Sequence, residues 1–107
     1  MVGQQFDVRL FENTSNIGTA AHGLLGQCDI DSRVIKLARQ HGWEPVGADS
    51  FTETFLHECL HGLISVAGLN DRFPDNEDEP FVDRLAPMLL DFIRRNKSAI
   101  AWLQRRD

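Results

Sequence analysis

The sequence lacks a long hydrophobic run and an excess of basic residues. Its apolar stretches, such as residues 17–25, are interrupted and far shorter than the ~20 residues that cross a bilayer. Eleven basic and sixteen acidic side chains give a formal charge of −5, so no basic field is available to hold a phosphate backbone. We therefore expect neither a membrane nor a nucleic acid as a partner.

Signals for secretion are also scarce. Residues 1–5 show no basic start followed by an apolar stretch, and the sequence contains only two cysteines, Cys28 and Cys59. Two isolated cysteines without a signal peptide are more typical of free thiols than of a disulfide. These features predict a cytoplasmic protein without a disulfide.

The composition is that of an ordinary folded domain. Hydrophobic residues make up 42% and charged residues 25% of 107 residues, close to the averages for globular proteins. A chain of this length can bury one core. We therefore interpret residues 1–107 as a single domain with one site.

Extended segments are predicted in the first part of the chain. Residues 6–12 alternate apolar and polar side chains, the period of a half-buried strand. Residues 20–28 and 33–37 flank a polar turn at 29–32, which predicts a hairpin over about 20–37. Two glycines and a proline in residues 41–49 predict a connecting loop.

A central helix is predicted next, over about residues 50–67. Ser50 and Glu53 have the spacing of a capping box, and Gly68 is expected to end the helix. Apolar side chains point in nearly every direction around it. We expect this helix to be central and mostly buried.

Two further helices are predicted after a polar surface loop at 70–78. Asp78 is a good N-cap for a helix over about residues 79–95, in which Pro87 should cause a kink. A short C-terminal helix at 99–103 should dock Trp102.

The central helix carries one strong motif, His57-Glu58-Cys59-Leu60-His61. Residues four apart on a helix project from the same side, so two imidazoles can reach one metal ion. Imidazole suits Zn²⁺, and Glu58 can act as general base toward water at the metal. Without a metal, three polar side chains in an apolar helix would be costly to bury. Cys59 lies roughly 200° from His57 around the helix and should fill the core instead.

An open zinc site needs a third protein ligand. We expect Glu79, eighteen residues after His61, with Asp83 one turn later accepting a hydrogen bond from the outer nitrogen of a ligating histidine. The alternatives for the third ligand are Glu77, Asp78, Asp83, His22 and His41.

These residues resemble the pattern of the gluzincin metallopeptidases, His-Glu-x-x-His followed on the next helix by Glu-x-x-small-(Asp/Asn). Val82 stands where a small residue is usual. The pairs Leu85-Ala86 and Leu89-Leu90 are similar to ImmA/IrrE-type peptidases. About residues 20–95 resemble short zincin-like proteins encoded by phages and prophages. Further likenesses are the hairpin residues Gly26 to Asp29 and the segments 34–37 and 54–56.

The resemblance implies an α+β, zincin-like domain in which a three-stranded sheet packs on the motif helix. It implies one Zn²⁺ per chain, ligated by His57, His61 and Glu79, and hydrolysis of a peptide or protein substrate with Glu58 as general base. An edge strand beside the metal cleft would bind the extended substrate.

Such peptidases also use a Tyr or His to stabilise the oxyanion. The sequence has no tyrosine. The candidates are His22, His41, Arg33 and Arg72. The alternative function is a zinc-binding regulatory or protein-interaction module with weak or no turnover, which a fourth protein ligand closing the site would indicate.

Overall fold

The computed structural model describes residues 5–12, 25–41 and 44–105. It has the predicted α+β class, with a three-stranded sheet and three helices. The strands of this sheet are β1 (Asp7–Phe11), β2 (Gly26–Asp29) and β3 (Val34–Ala38), and the helices are α1 (Ala48–Val66), α2 (Glu79–Arg95) and α3 (Lys97–Gln104). Two two-residue strands, β4 (Gln40–His41) and β5 (Glu44–Pro45), pair with each other and overlap the start of the predicted loop at 41–49.

Strand β3 is the centre of the sheet. It pairs in parallel with β1 and antiparallel with β2, which confirms the hairpin. Its apolar residues Val34, Ile35, Leu37 and Ala38 are at most 3% exposed and form much of the core. The turn falls one residue later than predicted, with Arg33 at φ 56°. Residues 20–24 of the predicted second strand lie outside the described residues.

Helix α1 begins two residues earlier than predicted, and the capping-box prediction is wrong. Gly47 occupies the N-cap position, where no side chain caps the helix, and its carbonyl accepts a hydrogen bond from the amide of Phe51. Ala48 and Asp49 adopt helical geometry, so Ser50 and Glu53 fall inside the first turns. The predicted end is confirmed, because Gly68 follows the helix with φ +71°.

Helix α1 lies between the sheet and α2. The prediction that it is mostly buried is wrong, since only Glu58, Gly62 and Ile64 are buried and Leu63 is 50% exposed. One small sheet and one helix cover only part of its circumference. The cysteines are both free, as predicted, and Cys59 lines an apolar hollow next to the sheet.

Helix α2 begins at Glu79 with Asp78 at its N-cap, and it continues through Pro87. Before it, the predicted loop forms two short 3-10 helices, Asn70–Arg72 and Pro74–Asn76. The prediction that Trp102, a residue of α3, docks against the rest of the domain is wrong. Trp102 is 61% exposed, and the Arg105 guanidinium lies over its ring. Among the described residues, no helix is long and apolar enough to cross a membrane.

Candidate metal centre

Two packed helices bring the predicted ligands together. His57 and His61 lie one turn apart on α1, and Glu79 is the first residue of α2. Val82 and Ala86 on α2 are 0% and 1% exposed, so this face is fixed in the core. Glu79 is one turn before Val82 and is therefore held at the side of α1 that carries both histidines.

The three donor groups converge on one point. His57 Nε2 lies 3.1 Å from His61 Nε2 and 2.8 Å from Glu79 Oε1, and His61 Nε2 lies 3.0 Å from Glu79 Oε2. Ligand atoms ~2.0–2.2 Å from a tetrahedral Zn²⁺ are ~3.3 Å from one another. The observed separations are close to that value, so His57, His61 and Glu79 are positioned to hold a metal ion.

The outer nitrogens of the histidines face carboxylates. His61 Nδ1 lies 2.9 Å from Asp78 Oδ2, and His57 Nδ1 lies 3.6 Å from Asp83 Oδ1. Because a carboxylate accepts hydrogen bonds, it favours the tautomer with hydrogen on Nδ1 and a lone pair on Nε2. The Nε2 lone pairs of both histidines and the Glu79 carboxylate would then lie close to one another, an arrangement that a cation stabilises.

Asp78 is the stronger of these two outer partners. Its side chain is 11% exposed, compared with 60% for Asp83, whose 3.6 Å separation is too long for a direct hydrogen bond. Burial lowers the pKa of His61, but the hydrogen bond and charge of Asp78 raise it, and the net pKa lies above its ordinary value. Asp78 therefore contacts the outer nitrogen of His61. The sequence indicated Asp78 only as an N-cap or as an alternative third metal ligand.

Glu58 lies beside the three-residue group but outside it. Its side chain is 9% exposed, and burial raises the pKa of its carboxyl, with a further increase from Glu79. His57, His61 and a hydrogen bond from the Cys28 amide act in the opposite direction. A carboxylate with a raised pKa is a better proton acceptor near neutral pH.

Cys28 contributes its backbone to the site. Burial, followed by the charge of Glu58, raises the pKa of the Cys28 thiol to about 11. At neutral pH the side chain is therefore a thiol. Its amide is the group that contacts the Glu58 carboxylate.

Gly26 allows strand β2 to approach α1 closely. A Cβ atom at this position would lie 2.8 Å from Thr54 Cγ2 and 3.2 Å from Glu58 Cγ. We expect Gly26→Ala to lower the free energy of unfolding by ~1–3 kcal/mol, the usual cost of overpacking. Urea denaturation at a fixed zinc concentration measures this effect.

The control for that substitution is Gly47→Ser. Nothing lies within 4 Å of a Cβ built at Gly47, and serine is a favourable N-cap residue. This variant should be as stable as the wild type or more so. Equal stability of Gly26→Ala and wild type would contradict the close approach of β2 to α1.

Two hollows meet at the site. One of about 310 Å³ contains the three candidate metal ligands, and one of about 500 Å³ extends toward the start of α1. Gly26, His57 and Glu58 line both, so the hollows form a cleft along β2 with Glu58 near its middle. Ser65 and Asn70, which are hydrogen-bonded to each other at 3.2 Å, also line the smaller hollow.

Several sequence candidates are not part of the group. Glu77 contacts the amide of Glu79 through its own carboxylate at 3.4 Å. His22 and the side chain of His41 lie outside the described residues. Ser65 and Asn70 were not predicted, although Ser65 lies one turn after His61 and therefore on the same face of α1.

Comparisons of the chain with protein-family models, curated proteins and solved structures found no match. The interpretation of the site therefore depends on its own geometry. That geometry establishes a group of His57, His61 and Glu79 that could bind a metal ion.

Proposed function

We propose that this protein is a zinc-dependent peptidase. The observation that carries the proposal is the convergence of two imidazole nitrogens and the Glu79 carboxylate beside the buried Glu58. Catalytic zinc sites commonly have two histidines and one carboxylate as protein ligands and leave a fourth position open for water or substrate. Zinc bound there would polarise the substrate carbonyl and make water more acidic.

Glu58 is proposed as the general base. As the water oxygen attacks the peptide carbonyl carbon, the Glu58 carboxylate accepts a proton from that water. The carbon–nitrogen bond then breaks, and Glu58 returns the proton to the departing amine. The buried position of Glu58 and the Cys28 amide hold the carboxylate in place between the two hollows.

Asp78 and Asp83 are proposed to orient the ligands. The Asp78 carboxylate is hydrogen-bonded to the outer nitrogen of His61, and the Asp83 carboxylate lies 3.6 Å from the outer nitrogen of His57. Both charges favour the tautomers whose Nε2 lone pairs are directed inward. Asp78 is buried and hydrogen-bonded, so its contribution should be larger than that of the exposed Asp83.

Strand β2 is the proposed binding edge for an extended peptide. The Ala38 amide donates to the Leu25 carbonyl, so alternation in the antiparallel ladder directs the backbone groups of Gly26 and Cys28 away from β3. The Cys28 amide reaches Glu58, which shows that this edge faces the cleft. A peptide strand could therefore pair with Gly26 and place its next carbonyl near the metal group.

The competing function is a zinc-binding module without efficient turnover. A fourth protein ligand closing the site would support it, whereas the group found among the described residues has three members. The Asp78 carboxylate is hydrogen-bonded to the outer nitrogen of His61 and is therefore not a fourth ligand.

The cysteines are both free, as is usual in a reducing compartment. We therefore propose that the peptidase is cytoplasmic.

The test is cleavage of a mixed peptide library followed by mass spectrometry. Zinc-loaded protein should cleave peptides, a chelator should stop cleavage, and added Zn²⁺ should restore it. Protein with one zinc per chain that cleaves no peptide or unfolded protein would refute the peptidase and favour the binding module. Cleavage that persists in chelator would point to a contaminating or metal-independent activity.

A further inference from the structure

Helix α2 has a second apolar face that the core does not use. Its buried residues are Val82, Ala86 and Leu90. At 100° per residue, a second set falls within about 60° of itself and about 130° from the buried face. We call this set the outer stripe: Phe81, Leu85, Met88 and Phe92. Phe81, Met88 and Phe92 are 46%, 69% and 53% exposed.

The residue spacing of the outer stripe is the same whether it is read from its N-terminal or its C-terminal end. Its members are separated by four, three and four residues, which is the spacing of a coiled-coil seam over about three turns. In an antiparallel pair of α2 helices, Phe81 would lie opposite the partner's Phe92, and Leu85 opposite the partner's Met88. Such a surface is self-complementary, as a two-fold interface requires.

The ends of the stripe also have complementary shapes. Phe81 lines an apolar hollow of about 380 Å³ together with Phe73, whose ring centroid is 5.2 Å away. Antiparallel pairing brings the partner's Phe92 to this end of the helix. An exposed aromatic side chain would thus lie over an apolar hollow twice in the same dimer.

Charges beside the stripe favour the same arrangement. Arg84 and Asp91 lie within about 20° of each other around the helix, on the flank of the stripe that faces away from the core. Antiparallel pairing places Arg84 opposite the partner's Asp91 at both ends. Asp91 already contacts Arg95 at 2.9 Å and is 62% exposed, so its carboxylate has room for a second cation.

We propose that two copies of the chain form a two-fold dimer in which their α2 helices pack antiparallel through the outer stripe. This inference is independent of the peptidase proposal, because none of the four residues belongs to the metal group. The stripe contains only four side chains, so the interface is small and the dimer should be weak.

The experiment is analytical ultracentrifugation of the full chain from about 10 µM to about 1 mM, a range suited to a small interface. The wild type should shift from monomer to dimer as concentration rises. Met88→Glu, at the most exposed stripe position, should remain monomeric. Circular dichroism and zinc content should show that this variant is still folded.

A charge exchange tests the orientation. Arg84→Glu and Asp91→Arg should each weaken the dimer, because each places like charges opposite one another twice. The double variant R84E/D91R should restore it. Arg9→Glu on β1 is the control with the same charge change as Arg84→Glu, and it should dimerise like the wild type.

The contrary results are specific. A wild type that stays monomeric throughout the concentration range would refute the dimer. A dimer that survives Met88→Glu would show that the contact lies elsewhere on the protein. A double variant no stronger than the single variants would refute the antiparallel arrangement.

Discussion

His57→Ala and His61→Ala should each bind zinc about 10²- to 10³-fold more weakly than the wild type. A four-ligand structural zinc site is worth ~10–16 kcal/mol, which is roughly 2.5–4 kcal/mol for each ligand. Purified wild-type protein should contain one zinc per chain by elemental analysis, and these variants should lose it to a competing chelator. Wild-type protein prepared without chelator and free of transition metal would contradict the metal site.

Glu79→Ala should weaken zinc binding about as much as the histidine substitutions do. It should also lower the thermal stability of the protein in the presence of zinc, because metal binding and folding are linked. Asp83→Ala should be milder. Loss of an outer carboxylate typically costs ~10–100-fold in affinity, and the 3.6 Å separation from His57 predicts the lower end of that range.

A zinc titration of both variants decides the assignment. Tighter zinc binding by Glu79→Ala than by Asp83→Ala would transfer the role of ligand to Asp83. Asp78→Ala is a useful third sample, since its buried hydrogen bond to His61 predicts a loss between the other two.

Glu58→Gln should retain zinc but lose peptide hydrolysis. Removal of a general base typically lowers the rate ~10²–10⁴-fold, and the amide is nearly the same size as the carboxylate it replaces. The paired measurements are zinc content and the initial rate on a peptide that the wild type cleaves. Glu44→Gln, on exposed strand β5, is the matched control and should keep both. Unchanged turnover in Glu58→Gln would remove this residue from the mechanism.

The grouping of His57, His61 and Glu79 as candidate metal ligands was accessible from sequence because local rules define most of it. Helical periodicity alone places His57 and His61 on one face. Glu79 could be proposed because it opens the next helix, where the family resemblance expects a ligand. The structure brings these three residues together at 2.8–3.1 Å.

The role of Asp78 shows the limit of the same reasoning. Asp78 does occupy the predicted N-cap position, but its carboxylate contacts His61, seventeen residues earlier. A capping aspartate and a histidine-orienting aspartate have the same local sequence signal. Which role applies depends on the packing of α2 against α1, which local patterns do not encode.

The order of the strands in the sheet also could not be predicted from the sequence. Alternation identified β1, and the turn identified the hairpin, but neither indicates that β1 pairs in parallel with β3 and leaves β2 at the side of α1. That arrangement depends on tertiary fit, including the absence of a side chain at Gly26 where β2 passes Glu58. Similarly, the apolar character of Trp102 predicted burial, whereas this residue is exposed on the short helix α3.

The donors of the metal group come from two helices separated by the segment 67–78. An ion shared by His61 and Glu79 would therefore act as a cross-link that closes this segment into a loop, in the same way that a disulfide closes a chain. Such a cross-link restricts the unfolded chain as well as fixing the folded one. In this small domain, an ion held by these residues would therefore also keep α2 in register against α1.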